Sequence, residues 1–381
     1  MTKSSNTLRI FYVSVDRANA NVPGNSIWRV NLHDSLVALG CKVHDFGLQR
    51  YITHGLQSVA DIGRLSSEMV ATVKEIIDRE GLDLVFTYLL NDWVSPDAIR
   101  EIRKFGVPVA NFYCNSLHQF DLIKNLAPAF DYCCAPEKDT FPQYRRIGAN
   151  PIYFPYGGNP SFYRTLGLPK DLGIVFVGRQ KMDRAAIVQA LIENDLPVRV
   201  WGPDWHHLIP QRSWIRRALR CIVKTREVKE LERKWRKACS PDGLSDAAMV
   251  EVFNRADIVL GCSKMLRTDD EGNQAYVRMV NLRDIEAPMC GACYVVEEMD
   301  EIHDYYAVGS EIVTYKTEGE LVDVTKWLLR NQGTRERIAA AGHRRALREH
   351  TMYHRFLKLF GEIGLDRKKI KALRMPVYTS S

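Results

Sequence analysis

Apolar residues along this chain fall into short continuous runs, separated by longer stretches in which they recur every three or four positions. The runs Leu8–Val15, Cys41–Phe46, Leu84–Tyr88 and Val107–Tyr113 have the length and character of buried strands. Between them the spacing predicts a helix from about Ser26 to Leu39, closed by Gly40, and an amphipathic helix from about Ser58 to Arg79, closed by Glu80-Gly81. A third helix, Pro96–Phe105, has proline in its first turn and Gly106 at its end. Strand and helix alternating in this way imply a parallel sheet covered by helices on both faces.

From Pro151 to Pro169 the pattern breaks into a stretch rich in proline, glycine and aromatics, read as an ordered linker. It then restarts, with strands at Gly173–Val177, Val198–Trp201, Ile258–Gly261 and Cys293–Val296. Helices are expected at Asp183–Asn194, Asp246–Arg255, Leu282–Met289, Glu318–Asn331, Thr334–Glu349 and Met352–Ile363. The expected fold class is therefore α/β: two Rossmann-like domains with parallel sheets facing a central cleft. The expected boundaries are 1–165, 166–350 and a C-terminal helix and tail, 351–381, crossing back to the first domain. A ligand in such sheets sits outside the carboxyl ends of the strands.

Length and composition agree. The 381 residues exceed what one core usually holds, and 46% apolar with 26% charged content is ordinary for a folded protein. The polar start and the lack of any run of roughly 20 apolar residues lead to the expectation of a cytoplasmic protein, peripheral to a membrane at most. Nine scattered cysteines suit reduced thiols better than a disulfide framework. Cys290 and Cys293 have metal-ligand spacing but no second pair to complete a site, so two small residues at a helix-to-strand turn is the simpler reading, and no metal is expected.

Charge alters the picture in one place. The whole chain carries +7, yet Arg212–Lys237 alone, inside an expected helical insertion at 206–240, holds eleven Lys/Arg against three Glu. The basic character is thus local. Trp214, Ile215, Leu219, Ile222 and Val223 interleave with the cations as one helical face, which fits an anionic membrane surface or a helical hairpin packed on the second domain with its charges solvated. Nucleic acid is not an expected partner.

The stretch Asn281-Leu-Arg-Asp-Ile-Glu-Ala-Pro-Met-Cys-Gly-Ala-Cys-Tyr-Val-Val296, followed by Gly309–Tyr315 and Glu349-His-Thr-Met-Tyr-His-Arg355, resembles the CgeB-like (spore-maturation type) glycosyltransferases. Phe176-Val-Gly-Arg179 and Trp201-Gly202-Pro-Asp-Trp205 extend the resemblance over most of the second domain. It implies the GT-B fold and transfer of a sugar from a nucleotide-sugar donor to a glycan, lipid-linked or small-molecule acceptor, with no cofactor beyond that donor.

A nucleotide sugar presents a diphosphate, a ribose and an activated sugar. It calls for cations or N–H groups at the phosphates, a carboxylate at the ribose and stabilisation of the departing diphosphate. The resemblance implies Glu286 for the ribose, and Arg179 and Arg184, with Lys181 between them, for the diphosphate. Arg283 lies one helical turn before Glu286, placed to reach phosphate or to orient Glu286. Gly178, Gly202 and Gly291 are candidate points of close backbone approach. Gly24 and Asn25 open the first helix and offer N–H groups to donor or acceptor, although Ser26 reads equally as a simple N-cap. His118, just past the strand Val107–Tyr113, is the first candidate base; Asn115 is a candidate sugar contact, and Asp16, at the end of the first strand, another candidate base. Many retaining relatives carry a glutamate eight residues before the ribose glutamate; this chain has Arg278 there. Two other readings fit the same residues: an epimerase or hydrolase of the nucleotide sugar, and a non-catalytic protein that kept the fold.

Overall fold

The structure is a computed structural model, and it describes residues 6–14, 27–51, 61–205, 226–268 and 272–376. Asp16, Gly24, Asn25 and Ser26 lie outside the described residues, as does Arg212–Thr225 of the basic segment.

The first sheet consists of β1 (Arg9–Val13), β2 (Lys42–Asp45), β3 (Leu84–Thr87), β4 (Val109–Phe112), β5 (Tyr132–Ala135) and β6 (Pro151–Tyr153). All pairs are parallel, in the order β2-β1-β3-β4-β5-β6, so the order reverses at β1. Pro151–Tyr153, expected to begin a linker, is instead the edge strand of this sheet. An edge tolerates a proline because one side of the strand needs no donor. The first helix is not a regular α-helix: Arg29–His33 forms a π turn before Asp34–Ala38. There Asn159 Nδ2 donates to the Val30 carbonyl (2.8 Å), while Asn31 Oδ1 accepts from the Asn159 N–H (2.9 Å). A pair of buried asparagines thereby ties this helix to the segment leaving the first sheet.

The second sheet is built from β7 (Ile174–Val177), β8 (Val198–Trp201), β9 (Cys239–Ser240), β10 (Ile258–Leu260), β13 (Cys293–Glu297) and β14 (Val313–Tyr315). Its order is β14-β13-β10-β7-β8-β9, again parallel throughout. An antiparallel hairpin, β11 (Lys264–Thr268) and β12 (Gln274–Arg278), stands outside this sheet. Its apolar signal is weak, with Tyr276 largely exposed, so the sequence pattern does not reveal it. Of the basic segment, Arg226–Ala238 is a helix whose Trp235 is 1% exposed and packs 5.6 Å from Trp205. This end of the segment is therefore anchored in the second domain's core. Among the described residues no helix is long and apolar enough to cross a membrane.

After the helix Gln332–Glu349 the chain turns at His350 into the helix Met352–Glu362. Phe356 of that helix packs against Phe86 (5.3 Å) and Phe154 (5.5 Å), under the first sheet. Farther on, Lys369 pairs with Asp83 at 2.7 Å. The two passages between domains lie side by side. Gly158 N–H donates to His350 O (3.1 Å) and Met352 N–H to Gly158 O (2.9 Å). Arg355 donates to the carbonyls of Tyr156 and Glu349, both at 3.0 Å. His350 Nε2 lies 2.8 Å from the Tyr305 carbonyl, so it carries the proton, and Nδ1 accepts from Arg355 (3.3 Å). Burial pushes this imidazole down to about 4. The Glu349-His-Thr-Met-Tyr-His-Arg355 motif thus fastens the crossing point between domains.

Candidate active site

Parallel strands bring their carboxyl ends to one edge, and the loops after β7 and β8 meet there. Val177 ends β7 and leads into Gly178-Arg179. Gly202, at φ +148°, follows β8 so closely that a Cβ would stand 2.2 Å from the Gly178 carbonyl oxygen. Trp205 Nε1 donates to that same oxygen at 2.7 Å. Asp204, itself at φ +73°, forms an ion pair with Arg179 at 3.0 Å. The Trp-Gly-Pro-Asp-Trp motif therefore clamps and aims the Gly-Arg turn. Gly178 and Gly202 serve each other's close approach.

Arg179 and Lys181 are exposed at this turn. Arg184 reaches back from the first turn of the helix Met182–Glu193, donating to the Arg179 carbonyl (3.1 Å) and lying over the Phe176 ring (5.7 Å). Its Nε is buried with no partner. Two exposed cations and one half-buried guanidinium thus cluster where β7 ends.

Arg283 opens the helix Arg283–Met289 at the same edge, with Nη2 3.5 Å from the Val177 carbonyl and its guanidinium 4.8 Å from the Phe253 ring. Its Nη1 pairs with Glu286 Oε2 at 2.7 Å. Glu286 is 2% exposed, and burial pushes its carboxyl up while Arg283 opposes the shift. Its Oε1 is buried with no hydrogen-bond partner. The neighbouring Tyr163 hydroxyl approaches the carboxyl without a well-formed hydrogen bond and favours its ionised form.

Gly291 is not part of this cluster. It turns the chain at φ +74° just before β13, with Thr165 2.8 Å from its missing Cβ. Both Cys293 and Ile174 pair with Ile258, which puts Gly291 at the amino end of the sheet, opposite Arg179. Parallel topology dictates this, because a helix that starts at the carboxyl edge ends at the other one. Cys290 and Cys293 are free, buried thiols, their ionisation pushed up by burial, and among the described residues no His/Cys/Asp/Glu group of three or more could hold a metal ion.

From the first domain, Asn115 precedes the short helix Ser116–Gln119 after β4, its carbonyl accepting from Gln119 N–H at 2.9 Å. That helix packs on β11 of the second domain. His118 is half-buried, and its Nδ1 has no partner. Burial lowers its basicity, and the charge of Lys181 from the second domain lowers it further. The Lys181 charge is thus felt at His118 from across the cleft, and both effects favour the neutral imidazole. Arg278, at the end of β12, faces Glu297 at the end of β13 (3.8 Å). Sequence reasoning passed over Glu297 and the acidic run after it; their place at the carboxyl end of an expected strand was the available signal.

Residues 179–361 match the glycosyl transferase-like family. That match spans just under half of the chain, and the chain as a whole has the GT-B fold. Three solved structures share that fold. Sucrose-phosphate synthase from Thermosynechococcus elongatus is 15% identical, with a TM-score of 0.56 over 93% of this chain and 99% of that one. Anabaena HepE in complex with UDP-glucose is 13% identical, with a TM-score of 0.56 over the same shares. A glycosyltransferase from Rickettsia africae ESF-5 is 12% identical, with a TM-score of 0.57 over 94% and 99%. No curated protein matches the sequence. The GT-B comparison extends over nearly the whole chain, including the first domain, which the family match does not reach.

Proposed function

We propose that the protein transfers a sugar from a nucleoside diphosphate sugar to an acceptor hydroxyl, and that its finer affinity is to the CgeB-like enzymes whose motifs it resembles. The observation that carries this reading is the convergence at one sheet edge of Arg179, Lys181, Arg184 and the Arg283–Glu286 pair. An orphaned, buried carboxylate oxygen costs about 1–3 kcal/mol, a cost that a ribose hydroxyl bonded to Glu286 Oε1 would relieve. The binding of UDP-glucose by HepE, which shares the fold, is consistent with a uridine nucleotide here.

The residues divide the work. Arg179, whose exposed ion pair with Asp204 the diphosphate would replace, and Lys181 hold the diphosphate oxygens, and Arg283 keeps the Glu286 carboxylate oriented. His118, neutral at pH 7, takes the proton from the acceptor hydroxyl as its oxygen bonds to the sugar's anomeric carbon. The bond from that carbon to the phosphate oxygen breaks, and its electron pair leaves with the diphosphate. The side-chain cations stabilise that charge, so activity persists in EDTA; loss that Mn²⁺ or Mg²⁺ restores would overturn the metal-free reading.

The deciding measurement is the thermal shift produced by UDP and other nucleoside diphosphates on the full chain. A ligand at 100 times its Kd adds about 2.7 kcal/mol. Most of that increment should disappear in Glu286→Gln and in the Arg179→Ala/Lys181→Ala double variant. If no nucleoside diphosphate stabilises the wild type, or both variants keep the full increment, the reading fails.

A further inference from the structure

Between Arg283 and Glu286 stands another carboxylate, Asp284, which is completely buried. Its Oδ2 accepts from the Asn281 N–H at 2.6 Å, and Asn281 Oδ1 in turn accepts from the Arg283 N–H at 2.9 Å. Two side chains three residues apart thus close the entry to the helix Arg283–Met289 reciprocally. The other oxygen, Oδ1, accepts from the Tyr294 hydroxyl at 2.8 Å.

Tyr294 belongs to β13 and is also completely buried. Gly261, just after β10, makes room for it: a Cβ there would stand 1.9 Å from the Tyr294 hydroxyl oxygen. Asn281 Nδ2 reaches the Cys262 carbonyl beside it, at 3.4 Å. The helix entry is therefore pinned to the carboxyl ends of two strands. A helix of seven residues has too few internal bonds to fix its own direction, so it takes its direction from these pins. Burial pushes the Asp284 carboxyl up to about 7, against the Asn281 N–H, the Tyr294 hydroxyl and Arg283, while Glu301 adds to the rise. Removing either donor leaves an unmet acceptor in a dry site, and the turn shifts to relieve it.

We infer that Asp284 and Tyr294 are positioning residues for the donor: through the Asn281 turn they set the helix that carries Arg283 and Glu286, and neither touches the donor itself. The inference rests on the donor reading proposed above. Arg283 precedes Asp284 by one residue and Glu286 follows it by two, so movement of the pinned turn passes directly to their ion pair. Arg179 and Lys181 sit on the loop after β7, which Gly202 and Trp205 hold in place by separate contacts. The two halves of the donor site are thus positioned by independent devices, and Tyr294 acts on the Glu286 half alone.

The test measures the Kd of UDP, or of whichever nucleoside diphosphate stabilises the wild type most, by calorimetry on the full chain at neutral pH. Tyr294→Phe removes one hydroxyl and keeps the ring; Asp284→Asn keeps the shape but leaves one acceptor for two donors. Urea unfolding confirms that each variant is folded. Both should bind roughly 3- to 10-fold more weakly than wild type, the worth of one misplaced hydrogen bond. The deciding readout is a double-mutant cycle, which a general loss of stability would leave additive. In a Glu286→Gln background Tyr294→Phe should cost less than about two-fold, because the group it positions is already gone; in a Lys181→Ala background it should cost its full factor. If the wild type binds the nucleotide and Tyr294→Phe binds it equally well, or loses the same factor in both backgrounds, the positioning role is overturned and the donor reading stands. If the wild type binds no nucleoside diphosphate, the donor reading fails and the positioning role fails with it.

Discussion

Replacing Gly202 with alanine tests how the donor-side turn is built. Two costs follow from the geometry. A φ of +148° is strained for any L side chain, at about 1–3 kcal/mol. The new Cβ would lie 2.2 Å from the Gly178 oxygen and 2.6 Å from its carbonyl carbon, which are backbone atoms and cannot rotate away. Overpacking of this kind costs a further ~1–3 kcal/mol. The sum, roughly 2–6 kcal/mol, is a large share of the stability of an ordinary protein. The control is Gly106→Ala, also at positive φ (+78°) but with nothing within 4 Å of a Cβ, which isolates the backbone strain. Urea unfolding should show Gly202→Ala destabilised by about 1–3 kcal/mol more than the control. Because relief of the clash must move Gly178, Arg179 moves with it, and the increment in stability from UDP should shrink as well. If Gly202→Ala is no worse than Gly106→Ala, or binds UDP as wild type does, the close crossing of the two loops does not set the position of Arg179.

The other predictions concern titration. His118 should titrate by NMR below the ordinary 6.5 of imidazole, and Lys181→Gln should raise its pKa while desolvation keeps it below 6.5; an unchanged value would mean that the Lys181 charge is not felt at His118. His350, held neutral at about 4 in the fold against 6.5 unfolded, binds fewer protons when folded. Its contribution is complete above about pH 6.5 and is lost as pH falls toward 4, about 3 kcal/mol in all, so His350→Gln should flatten the acid limb of stability against pH; parallel limbs would refute this.

The alternation of apolar runs with helical spacing was enough to specify the two parallel sheets, because strands buried on both faces must be continuously apolar and Gly40, Gly81 and Gly106 mark where helices stop. Arg283 and Glu286 were legible as a pair for a similar local reason: a spacing of three in a helix puts them on one face, and they do meet at 2.7 Å. What sequence alone left undecided depends on distant segments. Pro151–Tyr153 becomes a strand only because β5 offers it an edge. Gly291 falls at the wrong end of the sheet for the cluster because parallel register, not proximity in sequence to Glu286, sets which end a residue occupies. The influence of Lys181 on His118 joins residues from both domains. Local periodicity carries no information about such pairings, since they depend on how the segments at 156–159 and 350–355 lock one domain against the other.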